Sequence, residues 1–204
     1  MQSIENKIYK RIIGHGRGWV FSGRDFARLG SRSAIDTALY RLFERGIIRR
    51  VIRGIYDYPR FSELLGQRLG PELDQTAHAL ARKFGWRIQP SGATAQNVLG
   101  LSTQVPSKLI YLSDGPDREF RIGRTTLQFK KTPLKESGFK LRESSLLVQA
   151  LKSLGQDYIT PEVLAQIRSW LPASLRSKVL SDTTTVTGWV YAAIREICTK
   201  DGHG

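Results

Sequence analysis

An α+β fold is predicted for this chain: an N-terminal helical segment closed by a β-hairpin, then an α/β domain with a small antiparallel sheet and a helical C-terminal part. Three observations carry that prediction. Apolar residues recur at helical spacing from Ile35 to Phe43, and a Gly-tipped hairpin pattern follows directly. Three short strand patterns punctuated by turn residues fall between Lys108 and Lys131. From about residue 143 onward the periodicity is helical. The predicted division is a domain of residues 1–60 and a second of 61–204, with a mixed sheet at about 86–131 and helices at about 143–198.

Ser3 is positioned to cap a first helix running to about Ile13, with Gly14, Gly16 and Gly18 breaking it. Trp19–Phe21 reads as a short strand, and Ser22 caps a short helix, Gly23–Arg28, with Phe26 and Leu29 inward. Gly30 turns the chain, and Ser31 or Ser33 caps the next helix. There Ile35, Leu39, Leu42 and Phe43 form one apolar stripe, while Ser33, Thr37, Tyr40 and Glu44 lie opposite. Gly46 ends the helix in a left-handed conformation. Ile47–Val51 and Ile55–Tyr58 are the strands of a hairpin whose tip, Arg53-Gly54, needs positive φ. This order is that of a winged helix-turn-helix.

Charge supports a polyanionic partner. The chain carries a net +14, of which residues 1–60 hold +8 and the much longer remainder +6. A helix fits the major groove of duplex DNA, and short polar groups or arginine on its outer face read base edges. Ser33, Thr37, Tyr40 and Arg41 are the expected base readers. Arg32, Arg49, Arg50 and Arg53 are expected on the backbone or in the adjacent minor groove. Residues 1–60 alone are expected to retain operator binding.

The string Leu42-Phe-Glu-Arg-Gly-Ile-Ile-Arg-Arg-Val-Ile-Arg-Gly-Ile-Tyr-Asp-Tyr-Pro59 resembles the winged-helix signature of AbiEi-type antitoxins of bacterial AbiE (type IV) toxin–antitoxin systems. Pro90-Ser-Gly-Ala-Thr-Ala-Gln-Asn-Val-Leu-Gly-Leu-Ser-Thr-Gln-Val-Pro106 is similar to the start of their C-terminal region. The resemblance implies an autorepressor that binds promoter inverted repeats through its N-terminal domain. It implies a C-terminal domain that neutralises a nucleotidyltransferase-like toxin, by direct or indirect means. The family has no well-defined catalytic motif to carry over, so only the wing and recognition-helix roles transfer.

In the second segment, residues 58–70 read as a linker carrying a short helix, Phe61–Leu69. Gly70-Pro71 opens a helix with Leu73, Ala77, Leu80, Ala81 and Phe84 on one face. Trp86–Gln89 is a strand and Ala93–Leu99 a short helix. Lys108–Ser113, Arg118–Ile122 and Thr125–Lys131 are expected as a three-stranded meander. Helices then follow on Leu146–Leu154, on Val163–Trp170, after Pro172 and on Val186–Ile197, with a disordered tail, Lys200–Gly204. Arg118, Arg121, Arg124, Lys130 and Lys131, with Lys135 and Lys140, make this sheet region basic, a surface suited to nucleic acid or to an acidic partner.

Other chemistry has little to build on. His15, His78 and His203 lack metal-ligand spacing, and the lone Cys198 allows no intrachain disulfide. No metal, cofactor or catalytic residue is assigned. No apolar run approaches the ~20 residues of a membrane span. A cytoplasmic protein is therefore expected, as a monomer or weak dimer. Two alternatives stay open: a winged-helix regulator with an unrelated sensor domain, and a nuclease. The second rests on Pro116-Asp117 followed by Gln128-Phe129-Lys130, a loose match to a PD-(D/E/Q)xK layout.

Overall fold

A computed structural model describes residues 3–102, 104, 106–132 and 139–199; Lys135 and the tail 200–204 lie outside the described residues. The chain is α+β and divides into two compact units, Met1–Trp86 and Arg87–Gly204. Among the described residues no helix is long and apolar enough to cross a membrane.

In the first unit, Ser3 Oγ accepts the Asn6 N–H and caps α1, Ile4–His15, whose Ile8 and Ile12 are buried. β1, Val20–Phe21, leads into a 3-10 turn, Gly23–Phe26. The Asp25 carboxylate satisfies the Ser22 N–H (2.8 Å) at the start of that turn. Ser31, rather than Ser33, caps α2, Arg32–Glu44. The stripe Ile35, Ala38, Leu39 and Leu42 is buried against Ile8, Ile12, Phe21, Phe26 and Ile48. Burial of each leucine there contributes about 2 kcal/mol. β2, Arg49–Ile52, and β3, Ile55–Asp57, form the hairpin, and the sheet order is β1-β3-β2, all antiparallel.

The expected helix at Phe61–Leu69 is instead a second hairpin, β4, Phe61–Ser62, with β5, Gln67–Arg68. Its turn is closed locally: Ser62 Oγ accepts the Leu65 N–H, the Glu63 carbonyl accepts the Gly66 N–H, and Gly66 is left-handed. Leu64 and Leu65 are exposed (94% and 59%), so a helix here would have had no buried face to stabilise it.

α3, Leu73–Phe84, follows and packs against β1, the 3-10 turn and β3. Ala77, Leu80 and Ala81 are buried. The Arg82 guanidinium reaches Asp25 (2.7 Å) and the Val20 carbonyl (2.8 Å). α3 therefore completes the first unit, which ends at Trp86 and not at residue 60.

The second unit opens with β6, Ile88–Pro90, and α4, Gly92–Val98, then β7, Lys108–Ser113, β8, Arg118–Ile122, and β9, Thr125–Lys131. The three last strands are not a meander. The order is β6-β7-β9-β8, with β7 and β9 parallel and the other pairs antiparallel. The side chains explain why. β9 presents Leu127 and Phe129, both fully buried, and takes the inner position. β8 carries Arg118, Glu119 and Arg121 and takes the edge, where charge blocks further strand pairing.

α5, Arg142–Leu154, α6, Pro161–Trp170, α7, Ala173–Asp182, and α8, Gly188–Thr199, complete the unit. Their core includes Leu146, Leu151, Ile167, Val179, Val190 and Ile194. Asp182 accepts the N–H groups of Lys140 and Leu141 (both 3.0 Å), which fixes the chain at the start of α5. α4 lies so close to α5 that a Cβ on Gly92 would stand 2.2 Å from the Ser153 Cβ.

Candidate nucleic-acid interface

The outer face of α2 is polar and open. Ser33, Thr37, Tyr40 and Arg41 are all exposed, and Arg32, at the first turn, is 97% exposed. Their fixed spacing comes from the buried stripe on the opposite side of the same helix. Two carboxylates lie beside this row. Asp36 is 3.8 Å from Arg32, and Glu5 bridges Arg41 (3.7 Å) and Arg45 (2.7 Å). Tyr40 is 53% exposed, which leaves its ring on the surface rather than packed under the hairpin.

The four cations assigned to the DNA backbone meet different fates. Arg49 is tied into the fold: its guanidinium contacts both oxygens of Asp57, which is 2% exposed, and donates to the Leu69 carbonyl. These bonds take one N–H from each of its three nitrogens and tie it into the fold, so it offers a phosphate less than the exposed Arg50 and Arg53 do. Arg50 is exposed and lies over the rings of Phe43 (5.0 Å) and Tyr56 (5.8 Å). Arg53 projects from the hairpin tip and is exposed. Gly54 beside it has φ 75°, the left-handed turn conformation.

The structure adds two cations that the sequence pattern did not single out. Lys83, at the end of α3, donates to the Arg53 carbonyl (3.0 Å), and Arg24, in the 3-10 turn, donates to the Lys83 carbonyl (3.0 Å). Burial, then the neighbouring Arg53 and Arg32, push the Lys83 ammonium below its ordinary proton affinity. Arg24, Arg32, Arg53 and Lys83 surround a cleft of about 710 Å³ whose walls also include Ile35, Asp36, Tyr56 and Phe84. Lys83 lies 30 residues from Arg53 in sequence, and only α3 packing brings them together. A Cβ on Gly54 would be 2.7 Å from the Lys83 ammonium, an approach that no local sequence pattern records.

The basic residues of the second sheet do not form one face. Arg118, Phe120 and Ile122 share the side of β8 that meets Phe129, while Glu119 and Arg121 lie on the other. Lys130 alternates to the Arg121 side and Lys131 away from it, and Arg124 sits in the β8–β9 turn. The open side also carries Lys108, paired with Glu119 (3.4 Å). Asp117, the carboxylate of the nuclease-like pattern, and its neighbour Glu119 both have protein donors. Asp117 accepts the Lys131 N–H (2.6 Å), and Glu119 accepts from Gln128 (2.7 Å). Among the described residues no group of three or more His, Cys, Asp or Glu could hold a metal ion.

A second cleft, of about 560 Å³, lies in the C-terminal unit between Ile159, Leu164, Trp189 and Arg195. The model of a family described as a family of unknown function (DUF6088) matches residues 7–178, and the chain belongs to that family. No curated protein matches the chain.

Proposed function

We propose that this family member is a DNA-binding antitoxin and autorepressor, with a winged helix-turn-helix in its first unit. The observation that carries the DNA reading is the exposed row Ser33, Thr37, Tyr40 and Arg41 on α2, flanked by the exposed cations Arg32, Arg50 and Arg53. α2 enters the major groove, where short hydroxyls and an arginine discriminate base edges. The cations at its first turn and on the hairpin neutralise phosphates and fix the register of the helix. One copy occupies each half-site of a promoter inverted repeat.

The antitoxin role rests on the two strings that resemble AbiEi-type antitoxins, Leu42–Pro59 and Pro90–Pro106. In that reading the second unit neutralises a nucleotidyltransferase-like toxin encoded beside this chain. The test has two arms. The full chain is titrated against a duplex of its own promoter and against scrambled duplex at several salt concentrations. It is also co-expressed with the neighbouring gene, and growth is scored. Specific, salt-dependent binding with rescue of growth is expected. Equal affinity for both duplexes removes the base-reading roles, and no rescue removes the antitoxin role.

The cleft beside Trp189 favours a second reading, a regulator whose C-terminal unit senses a small ligand. Promoter binding without growth rescue, altered by Trp189→Ala, would select it.

A further inference from the structure

We infer that the cleft ringed by Arg24, Arg32, Arg53 and Lys83 seats a backbone phosphate of the bound duplex, with Lys83 of α3 as one of its direct ligands. The inference rests on the DNA reading above and extends the contact surface to an element outside the winged helix itself.

Four cationic groups from the 3-10 turn, α2, the hairpin tip and α3 line one cleft. The one carboxylate in its wall, Asp36, is 62% exposed and only 3.8 Å from Arg32, a loose solvent-screened pair. Among the described residues Arg53 has no carboxylate partner, and Arg24 is held by a backbone carbonyl. The Lys83 ammonium uses one of its three N–H groups on the Arg53 carbonyl. Two donors remain for an anion, beside the planar donor forks of Arg24, Arg32 and Arg53.

This crowding is costly without an anion. Burial, then the like charges of Arg53 and Arg32, already weaken the hold of Lys83 on its proton. An arriving phosphate supplies the opposite charge that offsets them. The site is also held in place in advance: Lys83 cannot leave without breaking its bond to Arg53, and Arg24 pins the Lys83 carbonyl. The cleft is much larger than one phosphate, and Ile35, Tyr56 and Phe84 give it apolar walls, which suits a stretch of sugar–phosphate chain. It adjoins the first turn of α2, where the backbone of a duplex read by Ser33 and Thr37 would run.

The experiment measures the affinity of the full chain for promoter duplex as a function of salt, with wild type, Lys83→Gln, Lys83→Arg and Arg24→Gln compared. Thermal melting of each variant is recorded alongside. Lys83→Gln is expected to lower the log–log salt slope by about 0.9, uniformly across sequences. Lys83→Arg keeps the slope, and Arg24→Gln lowers it by a similar amount. Unchanged slopes in both Gln variants, with the wild type binding normally, overturn the phosphate seat and leave the DNA reading standing. A wild type that binds no duplex overturns the DNA reading itself.

A third arm separates a duplex from a free anion. The amides of Gly54, at the hairpin tip, and of Gly85, which ends α3 beside the Arg24 guanidinium, are followed by NMR in the full chain during titration with duplex or with inorganic phosphate at constant ionic strength. Shifts with duplex at stoichiometric amounts, and none with inorganic phosphate at the same concentration, are expected. Saturating shifts with inorganic phosphate alone would make this a free-phosphate site and overturn the assignment. This arm needs no variant, so a Gln variant that fails to fold does not shelter the proposal.

Discussion

Arg49 and Arg53 stand four residues apart on one hairpin, and the structure sets them differently: Arg49 is paired within the fold and Arg53 is exposed. Arg49 neutralises the buried Asp57. Removing it leaves a desolvated carboxylate, so Arg49→Ala should destabilise the chain by about 2 kcal/mol, less than the roughly 3–5 kcal/mol of a fully buried pair because Arg49 is 29% exposed. Urea unfolding checks this. Arg53→Ala should leave the unfolding free energy within about 0.5 kcal/mol while lowering the DNA salt slope by about one. A midpoint shift as large as that of Arg49→Ala would place Arg53 in the fold rather than on the phosphate backbone. In sequence both are hairpin arginines. The difference arises from Leu69 and Asp57, whose approach no local pattern records.

Asp182 offers a pH test at the same scale. Burial pushes its carboxyl up, but the N–H groups of Lys140 and Leu141 outweigh that and hold it below its ordinary value. A carboxyl depressed on folding contributes its full stability above the ordinary carboxylate range and loses it as pH falls through the depressed value. Asp182→Asn should therefore cost about 1.5–3 kcal/mol at neutral pH. The gap to wild type should close in acid. A gap independent of pH would show that shape, not charge, is what α5 needs from this residue.

At the scale of elements, periodicity was a reliable guide where one helix buries one face. α1, α2, α3 and α5 all lie where the apolar spacing puts them, with Ser3 and Ser31 as caps. Sheet order was not legible, because the β7–β9 pairing joins strands separated by β8 and depends on which strand can tolerate an exposed edge. The β4–β5 hairpin was missed because Leu64 and Leu65 look like helix-forming core and are neither. α4 and α5 meet at Gly92, so Gly92→Ala forces a clash with Ser153. The expected cost is about 1–3 kcal/mol. Ser153→Gly in the same chain should recover part of it, and a double-mutant cycle showing no coupling would refute the close contact.

For the whole molecule, the revised boundary changes which fragment is worth making. A fragment of residues 1–60 lacks α3, whose Ala77 and Leu80 are buried in the first unit and whose Arg82 holds Asp25. Residues 1–86 should melt cooperatively and keep the full DNA salt slope, while residues 1–60 should melt earlier with a reduced slope. Circular dichroism and the binding titration read both. Equal melting of the two fragments would show that α3 adds no stability. The exposed face of α2 was legible because it is the complement of its buried stripe. The cleft was not, since half of its charge arrives from Arg24 and Lys83, which lie outside the wing and recognition-helix pattern.

The tip of the β4–β5 hairpin has a consequence for covalent integrity. Leu64 and Leu65 stand in solvent on a two-stranded projection, the setting in which a protease finds a cleavable bond. A cut there would divide the first unit into two peptides. The bonds Arg82–Asp25, Lys83–Arg53 and Arg24–Lys83 all cross that cut. The nicked protein should run as two bands under denaturing conditions and as one species in its native state.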